Sequence, residues 1–257
     1  MFFHRVAMSL LAAVLFLCPA RAGVPTDTAW PRVTILKTDM LPVIDGRMDK
    51  AEWAGATALS GFVTLRSSQV AGHQPRVQMA WHDAGLLIGI EAPLPPGEKA
   101  KAYATDWTGI VGRDDSLAVY IDLAHGHKTS CQFAVNALGM KSDNGVGDKS
   151  DTSEWQAAAV NAPGHWSAEM LIPWKAMGTA LPGTGDTAGF NIAVKAGWLG
   201  DTLTWAPNSY VLRDPASYDH LVFGNKTAVS LSWPDVSRLG ECRAQAVGKD
   251  KVDVSWT

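Results

Sequence analysis

The sequence predicts an all-β protein: an antiparallel β-sandwich of jelly-roll type, with two packed sheets and only short helical turns. Three observations predict it. Many short segments alternate apolar and polar residues with a period of two, the mark of a half-buried strand. Glycine (24 residues) and proline (14) punctuate these segments at close intervals, as turns between strands require. No long stretch carries the helical period, which excludes a parallel α/β architecture.

The clearest example runs from Gly112 to Gly139. Leu117, Val119, Ile121 and Leu123 alternate with Ser116, Ala118, Tyr120 and Asp122. After the turn AHGHK, Cys131, Phe133, Val135 and Ala137 alternate with Gln132, Ala134 and Asn136. The segment reads as one hairpin with a shared apolar face, carrying Asp114, Asp115 and Asn136 at one rim.

In chain order, Met1 to Ala22 has a basic start, an apolar run from Leu10 to Cys18 and a small-x-small ending at Ala20-Arg21-Ala22. That run falls well short of the roughly 20 residues needed to span a membrane, so residues 1–22 are expected to be a signal peptide. Leu17 before Cys18 argues against a lipid anchor, and a soluble periplasmic or secreted protein is expected. Residues 23–224 then form the sandwich and residues 225–257 an extension.

Arg32 to Leu36 reads as a first strand, Asp45-Gly46 as a tight turn, and Asp49 to Trp53 as one helical turn that swings Trp53 inward. Phe62 to Arg66 reads as a strand. Val77 to Trp81 and Leu86 to Ala92 form a hairpin across His82-Asp83-Ala84-Gly85. A rigid loop, Pro93 to Gly97, leads into the charged approach Glu98 to Trp107. Beyond the central hairpin, Met140 to Glu154 is polar and aperiodic and is expected to be a surface loop. Gln156 to Val160 and Trp166 to Ile172 pair across NAPGH, with a helical step at Trp174 to Met177. Phe190 to Trp198, Thr202 to Trp205 and Leu221 to Phe223 close the sheet. TAVSLSW, CRAQAV and KVDVSW in the extension still alternate, so strands are expected there too.

An apolar content of 47% is ample for a core. The formal charge of −3 becomes about −5 when Arg5 and Arg21 leave with the signal, so nothing in the charge attracts nucleic acid or anionic membranes, and neither is expected as a partner. Once the signal is removed, Cys131 and Cys242 are the only cysteines. An exported compartment permits a disulfide between them, the alternative being two buried thiols.

Eleven tryptophans against four tyrosines and seven phenylalanines is a heavy indole load, and a flat indole suits the C–H face of a sugar. Trp81, Trp166 and Trp198 occupy alternating apolar strand positions and read as packing. Trp107, Trp155 and Trp205 stand nearer strand ends.

A catalytic reading meets obstacles. Asp114 and Asp115 are adjacent, so in an extended chain they point to opposite faces and cannot flank one glycosidic bond. They suit loop hydrogen bonding or calcium, with Asp143, Asp148 and Asp151 as further oxygen donors, although the spacing matches no calcium loop. His125 and His127 read as solvated turn histidines rather than metal ligands. No GxSxG, HExxH or phosphate-loop pattern occurs.

Taken in order, VIDGRMDKAEW, VQMAWHDAGLLIGIEA, RDDSLAVYIDL, FAVNALG, HWSAEMLIPWKAMG, GFNIAVKAGW with TWAP, and RDPASYDHLVFG resemble the family 9 carbohydrate-binding modules and their DOMON-like relatives, from about Val43 to Gly224. The resemblance implies a non-catalytic module that binds glycans and accompanies polysaccharide catabolism, with a secreted enzyme as a possible partner. It also implies a site in which two tryptophans clamp a sugar ring while a Glu and an Arg on the central strands bond its hydroxyls. Trp107 lies in the segment of the first tryptophan, and Leu212 stands where the second would precede RDP. Ala118 stands at the carboxylate position and Ala134 at the guanidinium position. The expected site is therefore a rim of Trp107, Asn136, Tyr210 and Arg213 with an altered specificity, Tyr210 replacing the missing tryptophan. A haem-binding domain of DOMON type is the rival reading, with Met140, Met170, His165 and Lys195 as axial candidates. A structural or protein-binding sandwich is the third.

Overall fold

The computed structural model describes residues 32–104, 113–144, 154–206 and 211–225, together with the backbone of two strands in residues 243–255. The expected signal peptide lies outside them. The first strands are β1 (Arg32–Lys37), β2 (Thr57–Leu59), β3 (Val63–Thr64), β4 (Arg76–His82) and β5 (Gly85–Pro93). The central hairpin is β6 (Ser116–Asp122) and β7 (Cys131–Asn136), followed by β8 (Lys141–Asn144). Then come β9 (Gln156–Ala162), β10 (His165–Ile172), β11 (Thr187–Ala196), β12 (Asp201–Thr204) and β13 (Asp219–Gly224). Among the described residues, helical structure is confined to single 3-10 turns such as Trp174–Met177 and Pro215–Ser217. The all-β class is thus as expected.

The arrangement of the sheet differs from the expectation. A single hydrogen-bonded path runs β8-β7-β6-β11-β13-β1-β4-β5-β10-β9, with β12, β3 and β2 attached at its flanks. In place of two separate sheets there is one sheet, curled into a nearly closed, barrel-like sandwich. The joint is β1, which pairs in parallel with both β13 and β4. All other pairings are antiparallel. Sequence alternation reports which face a residue takes and is silent on the direction of the neighbouring strand. β14 (Arg243–Gly248) and β15 (Lys251–Ser255) form an antiparallel hairpin of their own.

One apolar core fills the inside of the curl. Ile35, Val77, Ile88, Leu117, Val119, Phe133, Met170, Phe190, Ile192 and Phe223 all contribute to it. Trp81, Trp155 and Trp174 bury their rings there and send their indole N–H to fixed acceptors, as buried indoles must. Trp81 Nε1 donates to the Gly224 carbonyl at 2.9 Å and Trp174 Nε1 to that of His82 at 3.0 Å.

The Asp45-Gly46 turn is anchored from outside the core. Glu169, fully buried on β10, accepts from the backbone N–H groups of Asp45 (3.0 Å) and Gly46 (2.9 Å) and from Trp53 Nε1 (2.8 Å). Gly46 has φ 88° and sits so close to Ala159 that a Cβ would lie 2.7 Å from its backbone. Both the left-handed conformation and the close approach demand glycine there. Trp53 N donates to Asp49 O at 3.2 Å, which forms the expected single helical turn.

Two local expectations are corrected. The segment after Met140 begins with a strand, β8, paired to β7 from Lys141 to Asn144. Its composition reads as loop because its inward side chains are polar, yet they are satisfied locally. Trp155 Nε1 donates to Asp143 Oδ2 at 2.9 Å, and Lys141 Nζ to the Trp155 carbonyl at 2.6 Å. The second correction concerns Phe62 to Arg66, where only Val63–Thr64 is strand. Ser68 N donates back to Thr64 O and turns the chain.

Candidate functional site

The rim at the start of β6 is held by the three polar residues singled out in the sequence. Asp114 Oδ1 accepts from Tyr103 N (3.0 Å), and its Oδ2 accepts from Ala104 N (2.9 Å) and Asn136 Nδ2 (2.8 Å). Asp115 Oδ2 accepts from Lys101 N (2.6 Å), and its Oδ1 accepts from Gly197 N. Both aspartates are 2% exposed. Their oxygens are committed to backbone donors and, for Asp114, to the Asn136 side-chain amide, which makes them clasps between the approach segment and the hairpin.

Asn136 is fully buried. Its Nδ2 also donates to the Ala104 carbonyl (3.0 Å), while Oδ1 accepts from Leu138 N (3.0 Å) and Met140 N (2.9 Å). Both amide hydrogens and both lone pairs are used. Asn136 therefore supports the rim from beneath, with no polar atom left over for a ligand.

The outer face of the central strands is a floor of small side chains. Ala118 on β6 pairs with Ala134 on β7 and, on its other side, with Ala193 on β11. Ser142 on β8 extends this row past Ala134. Tyr120 and Tyr218 pack against Ala193, with Leu212 and Ala118 covering them in part. Tyr218 Oη donates to the Leu212 carbonyl at 3.0 Å and lies 3.1 Å from Ser130 Oγ. Burial pushes the Tyr218 hydroxyl up to about 12. It also raises that of Tyr120, partly offset by the positive charge of Arg213. Arg213 itself is exposed on the loop beside this floor.

Trp107 and Tyr210 lie outside the described residues, as do Asp148 and Asp151. Every tryptophan among the described residues is buried or half-buried, including Trp155 and Trp205 near the strand ends. An aromatic that sequence reasoning passed over stands free instead. Tyr103 is 77% exposed, and its backbone is held by Asp114. Its place in a charged, aperiodic segment gave no sign of this.

Two of the haem candidates, His165 and Met170, are not brought together: His165 is exposed and Met170 is buried in the core, and five residues apart on one strand they face opposite sides. Cys131 is a free, buried thiol, and Cys242, its expected disulfide partner, lies outside the described residues.

The family model of the carbohydrate family 9 binding domain-like proteins matches residues 44–207. The chain belongs to that family. Solved modules of carbohydrate-binding family 9 share its fold. One from Caldicellulosiruptor kristjanssonii, in complex with glucose, aligns with a TM-score of 0.58 at 17% identity, covering 76% of this chain and 96% of the other. A module from the same organism in complex with cellotriose gives 0.58 at 16% identity, covering 78% and 97%. No curated protein matches the sequence.

Proposed function

We propose that this protein is a non-catalytic carbohydrate-binding module, exported to the periplasm or secreted, that binds a glycan at the loops above the alanine floor. Membership of the carbohydrate family 9 binding domain-like family over residues 44–207 is the observation that carries this reading. The sugar complexes of the two structural neighbours support it.

On this reading Trp107 provides the stacking face, and Tyr210 and Arg213 flank the ligand. Asn136 and Asp114 fix the approach segment from below. The commitment of Asp114 and Asp115 to backbone donors supports a role without catalysis, since a glycosidase needs one carboxyl group free to donate a proton. With alanine at 118 and 134, no buried charge on the floor selects particular hydroxyls. Stacking dominates, and a broad preference for glycan chains follows over tight capture of a free reducing end.

A glycan array probed with the full mature chain tests the proposal. Binding to plant or microbial polysaccharide fragments is expected. An array on which nothing binds above background would remove it.

A further inference from the structure

The geometry points to a first-row transition-metal site built from His125, His127 and His220. One ring nitrogen from each of the three residues lies within 4.8 Å of the other two. His125 and His127 come from the β6–β7 turn and His220 from β13, almost a hundred residues later.

The sheet register brings them together. Asp122 on β6 pairs with Gly189 on β11, which pairs with His220 on β13. Residues paired across a sheet share a face, so His220 projects on the side over which the turn after Asp122 folds. Gly189 carries no side chain to come between them, and a Cβ there would meet Asp122 Cβ at 3.4 Å and Tyr218 Cβ at 3.6 Å. Asp122 bends the turn by accepting from His127 N through Oδ2 at 2.7 Å and from His125 N through its carbonyl at 3.1 Å. Both turn histidines adopt left-handed backbone, φ 49° and 55°. That conformation is uncommon for residues other than glycine, with asparagine, aspartate and histidine the most frequent exceptions, and here it directs two rings toward a third. His125 lies with its ring centroid 4.5 Å from that of His220 and 4.8 Å from that of His127.

One tautomer is also fixed. His127 Nδ1 lies 3.2 Å from the Pro215 carbonyl, which can only accept. Nδ1 therefore carries the proton and Nε2 presents its lone pair, the outer-shell arrangement that orients ligating histidines. In a tetrahedral zinc site with Zn–N of about 2.0–2.1 Å, ligand nitrogens stand about 3.3 Å apart. Three neutral imidazoles suit Zn²⁺, Cu²⁺ or Co²⁺, with a fourth position for water, and disfavour Ca²⁺ and Mg²⁺, which take oxygen ligands. A bound ion would tie the β6–β7 turn to β13 and, through Pro215, to the loop that carries Arg213.

The test uses full mature protein without a histidine tag, stripped with chelator and titrated with Zn²⁺ by calorimetry and with Co²⁺ by absorption. One Zn²⁺ per chain is expected, with the intense visible Co²⁺ bands of a four-coordinate site and no competition from Ca²⁺. His125→Asn and His127→Asn keep a residue that tolerates left-handed backbone, so the fold should persist by circular dichroism. Each should weaken Zn²⁺ binding at least about tenfold, the lower bound even for an outer-shell change. His165→Asn, at an exposed histidine elsewhere, should leave it unchanged. Absence of saturable 1:1 Zn²⁺ binding, or a loss of less than tenfold in both turn variants, would overturn the site.

Discussion

Ala118 on β6 and Ala134 on β7 are direct cross-strand partners, so the two positions where the family resemblance implies a carboxylate and a guanidinium face each other. Side chains so placed have Cβ atoms about 4.5–5.5 Å apart, and opposite charges there add about 0.2–1 kcal/mol. Their joint replacement is physically coherent, because a lone charge at either position would lose its partner. Ala134→Arg alone, at a site 4% exposed, should destabilise the protein. Ala118→Glu in the same chain should recover part of that loss, giving a favourable coupling of about 0.5 kcal/mol or more in a double-mutant cycle. Adding Leu212→Trp should shift binding toward free glucose and cellobiose. Tight binding of reducing-end glucose by the wild type would contradict this account of specificity.

Glu169 makes the stability depend on pH. Burial holds its carboxyl above the usual range, outweighing the donors from Trp53, Gly46 and Asp45. The native state therefore binds this proton more readily than the unfolded chain. Its contribution is fully present below the ordinary glutamate value of about 4.3 and is lost as pH rises through the raised native value. Urea melts across that window should show stability falling with pH from this group. Glu169→Gln should remove that part of the slope. It should also cost about 1–3 kcal/mol, because an amide NH₂ replaces one of the two oxygens that three donors now share.

The rim clasp predicts a local effect. Asp114→Ala leaves the Tyr103 and Ala104 amides without acceptors, and Asn136→Ala does the same to those of Leu138 and Met140. Each should cost about 2–3 kcal/mol. Amide exchange at the named positions should accelerate well beyond that of the β4–β5 hairpin. Uniform acceleration across the sheet would show that the clasp is no separate unit.

Much of this fold was legible because alternation marks buried faces directly. The central hairpin, the β4–β5 hairpin and the Asp45-Gly46 turn follow from Leu117, Val119, Ile121 and their equivalents. What escaped depends on pairing between distant segments. β1 reads as a strand from its own residues, but its parallel seat between β13 and β4, which makes one sheet of two, has no local signature. β8 escaped because Lys141 and Asp143 are polar and find partners only in Trp155. Asn136 stood out as a polar group at a strand end, whereas its burial depends on Asp114 and Ala104 folding over it. His220 looks like any strand residue until the register through Gly189 sets it beside His125.

The most direct test of the central claim is calorimetric titration of wild type and Trp107→Ala with cellobiose and xylan. Stacking on an aromatic platform is worth most of the binding free energy when no charged group on the floor contributes, so truncation of the platform should abolish the heat of binding. The account predicts measurable binding by wild type to at least one of these glycans and none by Trp107→Ala, with unchanged thermal unfolding. Undiminished binding by Trp107→Ala would contradict it.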